Sequence, residues 1–407
     1  NDRYLFAIKI EYFPLGMGCI ICLISRPAQS NPERESAMKK RVVISLAFVL
    51  SLVIILTVVT TVNAGNKYQD STIEHGRYIA TIAGCTECHT PLRPEYQDPT
   101  KWTLDQVKVI AFSAGAAADE SKLLAGGRPF ELGPIGVLFT RNLTPDEETG
   151  LGKWTDEQIK IAVKTGISHD GRILFPVMPY HVYSGMADAD LDAVVAFLRS
   201  VNAVSNAVPE STIPTEGFPT PPYTTGIVAP DPSDKAARGA YLVNSVMACT
   251  DCHTPVDPTT GAPLMDKYLA GRQPYEGPWG IVYGGNITPD NETGIGSWTE
   301  EQVKQAFTAG VNREGRRLIL MPWFGYSALT AEDADAVAYY LKNVLPAVKN
   351  EIPAPSLNPG FEEMVPEGQF QGSTGNAPLS PVILVVVGVA VILLVSIGVA
   401  LLRRRSA

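Results

Sequence analysis

Histidine and cysteine are scarce in this chain of 407 residues, with five of the first and six of the second. Four of the cysteines sit in two tight clusters, so no disulfide framework of the kind that staples small secreted domains is implied. Basic charge is also short: 33 Lys and Arg face 42 Asp and Glu, a net charge of −9. The acidic excess is concentrated between Gly65 and Pro381, while both flanks are basic. Nucleic acid is excluded as a partner, because phosphate binding needs a basic surface. The acidity is read first as a solubility device, and second as a means of steering a basic redox partner. Strong period-two alternation is missing, which argues against long half-buried strands. The chain also lacks a quinoprotein, flavin or dinucleotide-binding domain, so substrate chemistry of those kinds would belong to another protein.

The few cysteines present have a specific spacing. Cys85-Thr86-Glu87-Cys88-His89 recurs as Cys249-Thr250-Asp251-Cys252-His253, and C-x-x-C-H is the attachment signature of c-type haem. Two thiols three positions apart on one local turn can each add to a haem vinyl group, and the adjacent imidazole then reaches the iron. The competing reading of a CxxC pair is a zinc or redox site, but neither motif has a second Cys/His pair nearby to complete a tetrahedral set. Two covalently bound haem c groups are therefore expected, one on Cys85, Cys88 and His89, the other on Cys249, Cys252 and His253. Covalent haem attachment takes place outside the cytoplasm, so the motif sets the compartment as well. The remaining Cys19 and Cys22 lack a following histidine.

The motifs belong to a longer internal repeat. Asn142-Leu143-Thr144-Pro145-Asp146 through Trp154-Thr155 matches Asn286-Ile287-Thr288-Pro289-Asp290 through Trp298-Thr299. An insertion of about twenty residues falls within 98–122 of the first copy, where Lys101-Trp102-Thr103 resembles a further helix start. Thr155 to Gln158 and Thr299 to Gln302 are capping boxes that open helices ending at Gly166 and Gly310. Apolar residues at helical spacing over Asp190–Val201 and Ala331–Val344 close each copy, and short helices near Ile73–Ala83 and Ala236–Val246 lead into the motifs. The pattern predicts an all-α chain of two tandem cytochrome c domains.

A haem iron that carries electrons without binding substrate needs a second axial ligand. Met178-Pro179 and Met321-Pro322 stand at equivalent places in the repeat and are the candidates. A thioether ligand raises the potential relative to imidazole, and the proline stiffens the loop that presents it. His181, Met186 and His169 compete with Met178, but His181 has no counterpart in the second copy, and neither does His75. Met247 and Met265 are poorly placed to compete with Met321. Trp154, Trp298 and the Asn-x-Thr-Pro-Asp loops either line a haem edge or simply pack.

The ends read differently from the middle. Residues 1–37 show no coherent pattern and are set apart as an extension. Residues 38–64 carry Lys39-Lys40-Arg41, an apolar run and Val62-Asn63-Ala64, which fits either a cleaved signal peptide or a retained anchor. Cytochrome c domain 1 is assigned to 70–204 and domain 2 to 236–350. Between them lies a linker, 205–235, with Pro209, Pro214, Pro219, Pro221, Pro222 and Pro230. A stalk, 351–381, leads to an uncharged run at 382–402 followed by Arg403-Arg404-Arg405, which predicts a transmembrane helix with a cytoplasmic C-terminus.

Gly-x-Tyr ahead of C-x-x-C-H-T-P, the Asn-Ile-Thr-Pro-Asp-x-Glu-Thr-Gly-Ile-Gly-x-Trp stretch and the later Met-Pro resemble the cytochrome c subunit family of membrane-bound alcohol and gluconate dehydrogenases. The resemblance covers nearly all of 72–202 and 236–346. Those subunits commonly carry three haems, whereas the motifs here number two. Taken together, the haem motifs, the C-terminal apolar run and the resemblance lead to the expectation of a membrane-tethered electron carrier facing the periplasm, between a dehydrogenase or quinol-oxidising complex and a soluble cytochrome c or oxidase. A haem enzyme, such as a dihaem peroxidase or thiosulfate-oxidising cytochrome, is the alternative and would need one iron with an open position. A structural haem-bearing scaffold is a third reading.

Overall fold

In a computed structural model of the chain, which describes residues 70–214 and 216–363, each copy of the repeat starts with a helix that runs into its CxxCH motif. Helix α1 (70–82) precedes α2 (Cys85–His89), and α7 (Lys235–Ser245) precedes α8 (Cys249–His253). Between the members of each pair the backbone turns through the left-handed region, at Gly84 (φ 79°) and at its counterpart Ala248 (φ 52°). An alanine there is uncommon, since a Cβ crowds the following carbonyl in that conformation.

The middle of each copy follows the sequence closely. Helices α4 (Asp156–Thr165) and α9 (Glu300–Ala309) open on complete capping boxes, Thr155 with Gln158 and Thr299 with Gln302, and end at left-handed Gly166 and Gly310. Four-residue helices follow the Met-Pro pairs, α5 (Tyr180–Tyr183) and α10 (Trp323–Tyr326). The copies close with α6 (Asp188–Ser200) and α11 (Ala331–Tyr339), the latter continuing into a π-helical turn at Tyr340–Val344. First and last helices meet at a glycine in each copy. A Cβ on Gly76 would lie 1.8 Å from the Ala193 carbonyl oxygen, and one on Gly239 would lie 2.0 Å from that of Ala336. Only a residue without a side chain permits such an approach.

The insertion of the first copy carries the extra helix expected there, α3 (Leu104–Ser113), opened by a capping box of Thr103 and Gln106. It leans on the second copy. The Ala111 carbonyl accepts from Leu320 N–H at 2.8 Å, and the Phe112 carbonyl accepts from the Trp323 indole. Ala111 and Phe112 share a small apolar cluster with Trp279 and Phe361.

The all-α expectation is corrected. Strands β1 (Pro129–Glu131) and β2 (Val137–Phe139) form an antiparallel hairpin with Pro129 opposite Phe139. Strands β3 (Pro274–Gly277) and β4 (Gly280–Tyr283) form the equivalent hairpin, to which β5 (Ser356–Leu357) adds a third strand. These strands are two to four residues long and rich in Gly and Pro at their ends, too short to establish a period of two. The membrane helix is also corrected. Among the described residues no helix is long and apolar enough to cross a membrane. Helix α6, at 13 residues, falls short of the ~20 that a span needs. The stretch 382–402 lies outside the described residues, as do residues 1–64.

The two copies share one apolar core. Ile79, Leu191 and Phe197 of the first belong to the same buried cluster as Leu242, Val337 and Leu341 of the second. The proline-rich stretch between them is held along the first copy. Thr212 N–H donates to the Val137 carbonyl at 3.0 Å, and Asn206 Nδ2 to that of Ala125 at 2.8 Å. The buried Lys164 ammonium donates to the Thr224 carbonyl at 2.9 Å and to Asp188 at 3.0 Å.

Candidate functional site

Each CxxCH motif ends in a histidine whose ring is already oriented. His89 Nδ1 lies 2.8 Å from the Arg141 carbonyl oxygen, and His253 Nδ1 lies 2.7 Å from that of Gly285. A carbonyl can only accept, so Nδ1 carries the proton and the Nε2 lone pair is left for a metal. Burial holds both imidazoles below their usual pKa range, which favours the neutral form that ligation requires. The same backbone contacts recur around both. Gly126 N–H donates to the His89 carbonyl at 2.7 Å and Gly271 N–H to that of His253 at 2.6 Å. Thr90 and Thr254 hydroxyls accept from Leu124 and Leu269 N–H.

The thiols sit in a low-polarity setting. Burial pushes Cys85 and Cys249 up to about 12, so both are protonated at neutral pH. They are poor thiolate ligands or nucleophiles in that state. Among the described residues no group of three or more His, Cys, Asp or Glu side chains is gathered to hold a metal ion. Cys and His placed on one turn, with Nε2 unengaged, fit a porphyrin iron, which brings four nitrogen ligands of its own.

Met178 and Met321 are half-buried and pack against the shared core. One turn further on, a tyrosine ties each Met-Pro loop to its own motif. Tyr183 donates to the Ala83 carbonyl, two residues before Cys85, and Tyr326 donates to the Met247 carbonyl, two residues before Cys249. These tyrosines were missed in the sequence, although Met-Pro-x-x-x-Tyr occurs in both copies and was the available signal. The rivals are engaged elsewhere. Met186 is buried in the core and Met265 is exposed, while His75 pairs with Asp190 at 2.6 Å and the His169 ring lies against that of Trp154, tilted by 40° at 4.2 Å between centres. Tyr180 is 1% exposed, and its hydroxyl has no hydrogen-bond partner among the described residues.

The Met-Pro helix of each copy also abuts the motif of the other. His181 Nε2 lies 2.8 Å from Asp251 Oδ1, between the second pair of cysteines. A Cβ on Gly325 would lie 3.1 Å from the Thr81 carbonyl and 3.6 Å from the Glu87 carboxylate, between the first pair. The Asn-x-Thr-Pro-Asp loops are structural. Asn142 donates to Thr149 and the Val204 carbonyl while accepting from Thr144, and Asn286 repeats the pattern with Thr293, Val348 and Thr288.

Among curated proteins, the gluconate 2-dehydrogenase cytochrome c subunit of Pantoea cypripedii is 28% identical over 307 residues, covering 69% of this chain and 61% of that protein. The chain is similar to dehydrogenase cytochrome c subunits. The fructose dehydrogenase cytochrome subunit of Gluconobacter japonicus is 29% identical over 293 residues, 67% of this chain and 52% of that subunit. A protein named as a diheme c-type cytochrome, from Cereibacter sphaeroides, is 26% identical over 288 residues, 67% of this chain and 86% of its own length. The chain thus spans about half to three fifths of the dehydrogenase subunits it matches. No family model matches it.

Proposed function

We propose that the chain is a dihaem electron-transfer cytochrome c that works outside the cytoplasm, at the cell membrane, with a dehydrogenase. One observation carries this reading: two CxxCH turns whose histidines each present Nε2 while Nδ1 is engaged by a backbone carbonyl. The bound group would supply one-electron exchange between ferrous and ferric iron. In this reading Cys85, Cys88, Cys249 and Cys252 form the thioether bonds, His89 and His253 are the proximal ligands, and Met178 and Met321 are the distal ones. The chain's own contribution is to orient and exclude. Carbonyls of Arg141 and Gly285 fix the imidazole planes, Tyr183 and Tyr326 hold the methionine loops, and the shared core keeps water away. The unpartnered Tyr180 hydroxyl suits a polar substituent of the bound group.

A dehydrogenase is the favoured donor because the relatives are named as dehydrogenase subunits; a quinol-oxidising complex is the other. The acceptor is a soluble cytochrome c or an oxidase. A peroxidase or thiosulfate-oxidising cytochrome would need one iron with a readily lost ligand, and a Met-Pro loop tied to its motif in both copies favours the carrier. Carbon monoxide tests the choice. The reduced protein should bind it poorly at both haems and show negligible peroxidase turnover, while exchanging electrons with a soluble cytochrome c. Stoichiometric binding at one haem together with substrate turnover overturns the carrier in favour of the enzyme.

A further inference from the structure

The two motifs differ at one otherwise equivalent hydrogen bond. In the first copy the carbonyl of Glu87, between the cysteines, accepts from Arg128 Nη1 at 2.7 Å. In the second copy the equivalent carbonyl, that of Asp251, accepts from the Tyr275 hydroxyl at 3.2 Å. Arg128 stands immediately before β1, and Tyr275 lies in the matching strand β3. Arg128-Pro129-Phe130 aligns with Gln273-Pro274-Tyr275, so a cation plus a phenyl ring in one copy stands where an amide plus a phenol stands in the other. Arg128 is 8% exposed, its guanidinium lies 5.9 Å from the Phe130 ring centre, and its N–H is bonded to Thr140 Oγ1 at 3.1 Å. The same backbone carbonyl is satisfied in both, by a buried permanent charge at one motif and a neutral hydroxyl at the other.

We propose that Arg128 raises the reduction potential of the haem on Cys85 and Cys88 above that of the haem on Cys249 and Cys252. The inference rests on the dihaem reading above. Ferric haem carries one more positive charge than ferrous haem, so a buried cation beside it disfavours oxidation, and low local polarity strengthens the effect. Arginine stays charged at all relevant pH values. The other charges near the motifs do not undo the contrast. Glu87 and Asp251 are acids at equivalent positions, so each motif carries one carboxyl side chain between its cysteines. Arg272, next to Gln273, is exposed and directs its guanidinium to the Glu351 carbonyl. The Arg141 side chain faces Glu210, which is 90% exposed, where solvent screens the pair. His181 lies beside Asp251 at the second motif, and its hydrogen bond to that carboxylate raises its pKa, so the titration is run at about pH 9, well above the ordinary imidazole value.

The test is a potentiometric titration of the full holoprotein at pH 9, after a haem count has returned two per chain; a lower count defeats the dihaem reading and this inference with it, whereas the midpoints test this inference alone. The wild type should titrate in two steps. Arg128→Gln should lower the upper midpoint by the equivalent of about tenfold in the reduced-to-oxidised ratio, or about 59 mV for one electron, and leave the lower one in place. Arg128→Lys should stay near the wild type. The double variant Arg128→Gln/Phe130→Tyr recreates the neutral hydroxyl of the second copy, so it keeps the hydrogen bond while losing the charge, and its upper midpoint should also fall. An unmoved upper midpoint in the double variant, or movement of the lower one alone, overturns the proposal even if Arg128→Gln fails to mature.

Discussion

Tyr241 of the second copy donates its hydroxyl to Asp190 of the first at 2.6 Å. The relationship is reciprocal, because Tyr78 of the first copy, which aligns with Tyr241, donates to Asp333 of the second, which aligns with Asp190. Each aspartate has a cationic or imidazole partner within its own copy: Arg238 reaches Asp333 at 2.7 and 2.8 Å, and His75 reaches Asp190 at 2.6 Å. The repeat thus builds a self-complementary interface, in which the same surface serves both sides. Removing either phenol should loosen it. Tyr78→Phe and Tyr241→Phe should each cost about 1 kcal/mol of stability, and together make 205–235 more open to proteolysis. Unchanged melting in the double variant contradicts the role given to this contact.

The same interface gives a pH dependence of definite sign. Burial pushes the Asp190 carboxyl up, but hydrogen bonds from His75 and Tyr241 outweigh it, and the net displacement is downward. A group with a depressed folded pKa stabilises above its unfolded value, about 3.9, and that contribution is lost as pH falls through the folded value. Asp190→Asn should therefore lower the unfolding temperature at pH 7, with the gap to wild type closing below about pH 4. A gap that widens on acidification contradicts the assignment.

The helix crossings predict the cost of a single methyl group. Gly76→Ala and Gly239→Ala place a Cβ against backbone oxygen rather than a movable side chain. Each should destabilise by about 1–3 kcal/mol, the range for overpacking a well-filled core. Thermal melts in which either variant matches the wild type would show that the first and last helices can separate without strain.

Much of this was legible in the sequence, and the misses have a pattern. The CxxCH turns, the capping boxes at Thr155 and Thr299, and helix α3 were readable because each is a local signal within a few residues. The hairpins at Pro129–Phe139 and Pro274–Tyr283 were not, since strands of three or four residues bounded by Gly and Pro carry no periodicity. The Tyr78–Asp333 and Tyr241–Asp190 bonds join residues far apart in sequence, and nothing local marks them. Arg128 was passed over because its meaning lies in the contrast with Gln273, which appears only once the two motif carbonyls are seen to share a hydrogen bond.

The methionine assignment predicts a spectroscopic result. Met178→Ala and Met321→Ala should each reduce the sulfur-to-iron charge-transfer band of the oxidised protein by about half, as expected for two equivalent thioether ligands. If Met178→Ala leaves the band intact while Met186→Ala abolishes part of it, the ligand in the first copy is wrong.

The central claim is that this chain holds two covalent haems, one per CxxCH turn. A denatured pyridine haemochrome assay, combined with the intact mass of the purified chain, measures this directly. The account predicts two haems per polypeptide, with one lost when Cys85 and Cys88 are replaced by Ala and the other lost when Cys249 and Cys252 are replaced. A count of one or none in the wild-type chain contradicts it.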